Sequence, residues 1–228
     1  MNKSRIYGLV LLSALLVGAA VSTPAQGAVY GVGVKPGDWA EYSESVSLVS
    51  GSVKVRVDVT TVSGTTVNLT ETFYDAQGHV AYSLKLSGDL ASYSGFLTLM
   101  FFLIPANLTQ GDPISPGSPI VINQTIPVAV AGTERNCNLL SMGASFQGNT
   151  VSEDIYWDQL TGILVEMSAE MSSISGSYSE TLMMTSTSLW SVDYGALGTV
   201  VLVGAAFAVG LLAVVIPVVV IRSRRKNA

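Results

Sequence analysis

Apolar and polar residues alternate with period two through most of the middle of the chain, the spacing of a strand with one buried face. In VKVRVDVTTV, Val53, Val55, Val57 and Val59 fall on one side, and Lys54, Arg56, Asp58 and Thr60 on the other. In PIVINQTIPVAVAG, Ile120, Ile122, Ile126, Val128 and Val130 share a side. In GILVEMSAEMS, Ile163, Val165, Met167, Ala169 and Met171 oppose Leu164, Glu166, Ser168 and Glu170. YSETLMMTSTSLW is rich in Thr and Ser and favours strand over helix. The runs are separated by turn chemistry at residues 63–65, 75–78, 131–134, 147–149, 158–162 and 175–177. The pattern predicts a mainly β domain of about 8–9 strands in sequential antiparallel hairpins. Spacings of roughly 10–15 residues leave no room for crossover helices, which excludes a parallel α/β sheet.

The first strand is expected to begin inside GVGVKPGDWAEYSESVS. Pro36-Gly37 sets a turn, Asp38 bonds within it, and alternation starts at Trp39. Glu41 and Glu44 then point to opposite faces, so they make no carboxylate pair on that strand.

Residues 93–119 break the rhythm. From Phe96 to Ile104 only Thr98 is polar, and Pro105 ends the run. Phe96, Leu97, Leu99, Met100, Phe101, Phe102, Leu103 and Ile104 are therefore expected to form an apolar plug against the sheet. The plug either fills a core or covers an apolar pocket, for which Met100, Met142, Met167, Met171, Met183 and Met184 would supply soft walls.

The two ends read differently. Lys3 and Arg5 precede an apolar run of about 13 residues and then small residues, the order of a secretory signal peptide over 1–27. Residues 28–194 form the expected extracellular domain. Residues 195–221 contain a charge-free stretch, Ala196 to Ile221, whose length as a helix is about 39 Å, enough to span a bilayer. Arg222, Arg224, Arg225 and Lys226 follow and are expected in the cytoplasm, within a tail over 222–228. The expected location is thus the cell membrane, with the domain outside.

Charge narrows the partners. Residues 28–194 hold five basic residues and all 16 acids, a net charge of 5 − 16 = −11. Such a surface repels phosphate, which argues against nucleic acid. Cys137 is the single cysteine, so no internal disulfide forms, and His79 is the single histidine. A Ser-His-Asp arrangement would have to use His79, and no G-x-S-x-G elbow accompanies it, so no catalytic residue is assigned. No metal site and no cofactor is expected either. Asn68, Asn107 and Asn123 each begin an N-x-Thr sequon and are candidate glycosylation sites.

VKPGDWAEYS, LTQGDPI, INQTI, AGTERNCN, IYWDQLTGILVEMS and the closing TSLW together resemble a group of archaeal secreted, single-span membrane-anchored β-domain proteins of no assigned function. The resemblance covers roughly residues 30–190. The YWDQLTGILVE hairpin is also similar to the Asp-x-x-Thr-Gly hairpin of the lipoprotein-carrier (LolA-like) half-barrels. That resemblance implies a single curved antiparallel sheet, a half-barrel, wrapped around the plug; the one C-terminal transmembrane helix is expected from the apolar run itself and departs from those carriers, which are soluble or lipid-anchored. Two functions follow as expectations. One is a non-enzymatic cell-surface domain, structural or binding an envelope protein or glycan. The other is apolar-ligand or lipid binding in the concave face.

Overall fold

In a computed structural model of the chain, the described residues are 30–47, 52–92, 99, 102–146, 149–173 and 176–190. All lie in one compact unit, Met1–Ser191. The expected signal peptide over 1–27 and the apolar run over 195–221 lie outside the described residues.

Among the described residues nine strands are present: β1 (Trp39–Val46), β2 (Ser52–Ser63), β3 (Thr66–Tyr74), β4 (Val80–Asp89), β5 (Gln124–Val130), β6 (Thr133–Phe146), β7 (Asn149–Asp158), β8 (Leu164–Ser173) and β9 (Gly176–Thr187). They form one antiparallel sheet in the order β4-β3-β2-β1-β9-β8-β7-β6-β5. The chain therefore winds outward from the middle over four strands, crosses to the opposite edge through residues 90–123, and winds back until β9 pairs with β1. Hairpin turns supply the reversals. At β5–β6, both Ala131 (φ 44°) and Gly132 (φ 78°) are left-handed, the backbone that a two-residue hairpin needs.

The expected half-barrel is corrected by this topology. The hydrogen-bonded order is linear and open, β4 and β5 are separate edges, and the sheet does not curl closed. Alternation in a sequence reports which face is buried, not the coiling or closure of the sheet, and the hairpin that carried the resemblance is turn chemistry that any antiparallel sheet can use. The transmembrane helix expected with it is not seen either: no helix among the described residues is long and apolar enough to cross a membrane.

One face, here called inner, holds the core. Tyr42 sits opposite Val55 on β2 and Met184 on β9, and these side chains are buried together. Across the sheet, Val57, Val59, Val67, Leu69, Ile155, Val165, Met167 and Leu182 complete the layer. The Tyr42 hydroxyl donates to the Leu164 carbonyl at 2.9 Å, satisfying its one polar group inside the core. The other face is solvated. There Arg56 lies 4.4 Å from the Trp39 ring and bridges Glu41 (3.2 Å) and Asp58 (2.9 Å), while Lys54 reaches Glu41 at 2.8 Å. Burial pushes the Glu41 carboxyl up, but hydrogen bonds from Lys54 and Arg56 hold it below its ordinary value.

The crossing segment is a strap on the inner face. Leu99, Phe102, Leu103, Ile104, Leu108, Ile114 and Ile122 are all buried. None of its described residues belongs to a strand of the sheet. It docks through backbone bonds: Ile104 N–H to the Gly162 carbonyl (3.0 Å), Leu164 N–H to the Phe102 carbonyl (2.9 Å) and Asn107 N–H to the Gln159 carbonyl (2.6 Å). The alternation from Ile120 onward predicted strand, yet β5 starts only at Gln124. The backbone of Ile122 is tied instead to Gly111 and Asp112 of the strap.

Gly162 makes this docking close. Its φ is +74°, and a Cβ there would fall on the Ile104 carbonyl oxygen. Gly162→Ala is expected to cost about 2 kcal/mol, from backbone strain and displacement of the strap. Urea denaturation measures it, and unchanged stability would show that the strap does not need this approach.

Candidate functional site

Four glutamates point into the inner face, and each occupies the same local pattern. In YSESV, LTETF, VSEDI and YSETL, a Glu stands between two inward apolar or aromatic residues at i−2 and i+2. The residues are Glu44 on β1, Glu71 on β3, Glu153 on β7 and Glu180 on β9. Glu71, Glu153 and Glu180 are buried.

The strand register gathers them. Glu180 lies opposite Ala169 on β8, and Ala169 lies opposite Glu153 on β7. The two carboxylates therefore flank one methyl group, with their backbones about 10 Å apart. Glu44 is opposite Leu182, two residues from Glu180, which makes it a diagonal neighbour on the same face. Glu71 lies opposite Val57 on one side and Leu84 on the other.

This arrangement changes their chemistry. Burial first, and then the Glu44 charge, push the Glu71 carboxyl up to about 7. Burial and then the Glu180 charge push Glu153 up to about 7 as well. The Tyr178 hydroxyl donates to Glu180 Oε2 at 2.6 Å, while Glu180 Oε1 is buried with no hydrogen-bond partner. Burial and the neighbouring carboxylates Glu71 and Glu44 raise the Tyr82 phenol. Around the acids the surface is apolar: Phe73 stacks on Tyr82 at 4.3 Å, and Met142 and Met171 lie on the same face. Met171 is 38% exposed. Near neutral pH the patch is part carboxylic acid and part carboxylate, held in an apolar setting.

A second polar cluster sits at the β7–β8 turn. Asp158 is fully buried. It accepts from Arg135 Nε (2.8 Å), Arg135 Nη2 (3.1 Å), the Thr161 backbone N–H (2.9 Å) and the Thr161 hydroxyl (2.7 Å). Arg135 also covers the Trp190 ring at 4.7 Å. A shallow cleft of about 300 Å³ opens beside it, lined by Glu134, Arg135, Asn136, Asp158, Gln159 and Leu160. Every oxygen of Asp158 is committed to the turn or to Arg135, so this cluster builds the hairpin and fixes Trp190. Nearby, burial and then Asp158 push the Cys137 thiol up to about 12, which leaves it an unreactive core residue.

The residues singled out from the sequence are distributed as follows. Leu99, Phe102, Leu103 and Ile104 pack in the core, and Phe96, Leu97, Met100 and Phe101 lie outside the described residues. Asn107 and Asn123 are exposed, in the strap and just before β5. Asn68 is half-buried on β3, where its amide donates to the Thr61 hydroxyl. His79 is in the exposed β3–β4 turn, with Nδ1 at 3.5 Å from Asp75. Among the described residues no group of three or more His, Cys, Asp or Glu side chains would hold a metal ion. Counted along the sequence, the acids look scattered. The signal that would have found the inner four is parity: a Glu where the alternation calls for an apolar residue.

No family model matches the chain, and no curated protein matches it in sequence. Two solved structures are similar in fold. One is described as an exported protein with a YmcC-like fold from Bacteroides fragilis, 11% identical, with a TM-score of 0.44 over 70% of this chain and 99% of that one. The other is described as a lipoprotein from Parabacteroides distasonis, 9% identical, with a TM-score of 0.42 over 72% of this chain and all of that one. The chain is a mainly β domain by its own strands, and its likeness to these exported and lipoprotein-type proteins is distant and partial and does not bear on function.

Proposed function

We propose that the chain is a non-catalytic cell-surface domain that binds an apolar-bodied ligand of the lipid class on the inner face of its open sheet. The observation that carries this is the set of inward glutamates within an otherwise apolar face. A packed hydrocarbon layer there would be more stable, and perturbed carboxyls concentrate where binding or chemistry needs them. The apolar residues around them receive the body of the ligand, and the carboxyls meet its polar head. The signal-like N-terminus and the apolar C-terminal run with its basic tail support a domain held on the outer side of a membrane. The exposed Asn107 and Asn123 are its candidate glycan acceptors.

A second reading is supported by the outer face. Ser52, Ser45, Thr181, Ser168, Asp154 and Ser141 lie in register across six neighbouring strands. A row of five hydroxyls and one carboxylate suits hydrogen bonding to a glycan or an envelope protein.

The domain 28–194, produced without its C-terminal run, separates the two. Native mass spectrometry is expected to show co-purified lipid, and the delipidated domain should take up an apolar dye that Met171→Glu excludes. An empty protein with no dye uptake overturns the ligand reading. Capture of an envelope protein or glycan by in situ cross-linking would then favour the second.

A further inference from the structure

We propose that the polar head of the ligand is a protonated amine, seated between Glu153 and Glu180 above Ala169. The inference rests on the ligand reading above and adds the chemistry of the head.

Glu180 is the residue that points to it. It is only 4% exposed, the Tyr178 hydroxyl donates to Oε2 at 2.6 Å, and Oε1 is buried with no hydrogen-bond partner. An acceptor left unmet in a buried setting is costly, and a charged one more so. Glu153, equally buried, stands on the other side of Ala169. The methyl group between them leaves open a space over β8 that a longer side chain would fill. Burial and then the charge of Glu180 hold the Glu153 carboxyl up, and a cation between the two would relieve that repulsion.

The domain has no cation of its own to place there. Of the five basic residues between 28 and 194, Lys54 and Arg56 pair with acids of the outer face, and Arg135 pairs with Asp158. Lys85 stands opposite Thr70 on the outer side of β4, and Lys35 precedes the turn at Pro36-Gly37. A cation therefore has to arrive with the ligand. A metal ion does not fit, since no group of three or more acidic, Cys or His side chains among the described residues would hold one. A quaternary ammonium brings charge but no N–H for Glu180 Oε1. A protonated amine brings both, and its three donors can serve the two carboxylates at once. The apolar body then lies over Met142, opposite Glu153, and Met171, opposite Tyr178.

A comparison of head groups tests this. The full chain in maltoside micelles is incubated separately with dodecylamine, dodecyltrimethylammonium, dodecanol and dodecyl sulfate, each at the same low mole fraction and near neutral pH. Native mass spectrometry is expected to find dodecylamine retained about tenfold more than the trimethylammonium or the alcohol, and dodecyl sulfate least. Glu180→Gln should erase the advantage of the amine over the alcohol, and Glu153→Gln should reduce it. Glu170→Gln, which removes an exposed acid from the outer face of β8, should keep it. If Glu180→Gln fails to fold, Glu153→Gln decides alone. Retention of the alcohol, the trimethylammonium or the sulfate to the same extent as the amine or more, or an equal loss of preference in Glu170→Gln, overturns the amine head and leaves the ligand reading standing. A wild type that retains none of the four overturns both.

Discussion

Replacing Glu71 and Glu153 together by glutamine is expected to stabilise the domain at pH 8 and leave its stability at pH 4 nearly unchanged. Each carboxyl is pushed up to about 7 in the fold, from an ordinary value of 4.5. The folded state therefore binds protons more tightly than the unfolded chain. Stability is greatest below the unfolded value and falls as pH rises from about 4.5 to about 7, then levels off. Each site accounts for on the order of 3 kcal/mol of that fall. Glutamine is close in shape to the protonated acid and does not ionise, so the double variant should lack most of the slope. Urea midpoints taken between pH 4 and pH 8 measure it, and parallel profiles for wild type and variant would show that the inner carboxyls do not carry the strain assigned to them. The same experiment bears on the proposed site, because a ligand that places a cation or donor against these carboxyls should lower their proton affinity and reduce the slope. The tendency is also opposite to ordinary acid denaturation, in which paired carboxylates lose stability on protonation.

The second large effect belongs to Asp158. Asp158→Ala is expected to cost about 3–5 kcal/mol, because it leaves the Arg135 guanidinium and the Thr161 N–H without their acceptor in a buried setting. Arg135→Ala strands the Asp158 carboxylate and should cost a similar amount. The two are one interaction, so the double variant should be much less unstable than the sum of the singles. Thermal unfolding of the four proteins closes the cycle. Additive losses would mean that Arg135 and Asp158 contribute separately, and that Trp190 is not held through their pairing. Asp158→Asn should fall between, since it keeps an acceptor for Thr161 but not the charge.

These cases also show where a sequence is legible. The Asp-x-x-Thr-Gly stretch reads as a turn from local chemistry alone, and the structure bears that reading out in detail: Asp158 bonds Thr161, and Gly162 takes the left-handed backbone. What the stretch does not reveal is Arg135, which is 23 residues away and arrives by strand pairing. Trp39 likewise reads as a packing residue, but its partner Arg56 is set by the β1–β2 register.

The chain by itself determined the strands, their antiparallel hairpins and the side of each that is buried, because these depend on interactions within a few residues: alternation, turn preference and the conformational limits of glycine and proline. The glutamates at 44, 71, 153 and 180 occupy positions where the alternation calls for an apolar residue, a parity signal that a count of acids along the chain passes over. Only the tertiary structure decided that the sheet stays open, that β1 and β9 meet at its middle, and that those four side chains share one face. Such outcomes depend on pairings between residues more than a hundred apart, as when Ala40 faces Thr187. Their free energy comes from desolvation and charge repulsion among groups brought together by the whole sheet, which no local run of residues encodes.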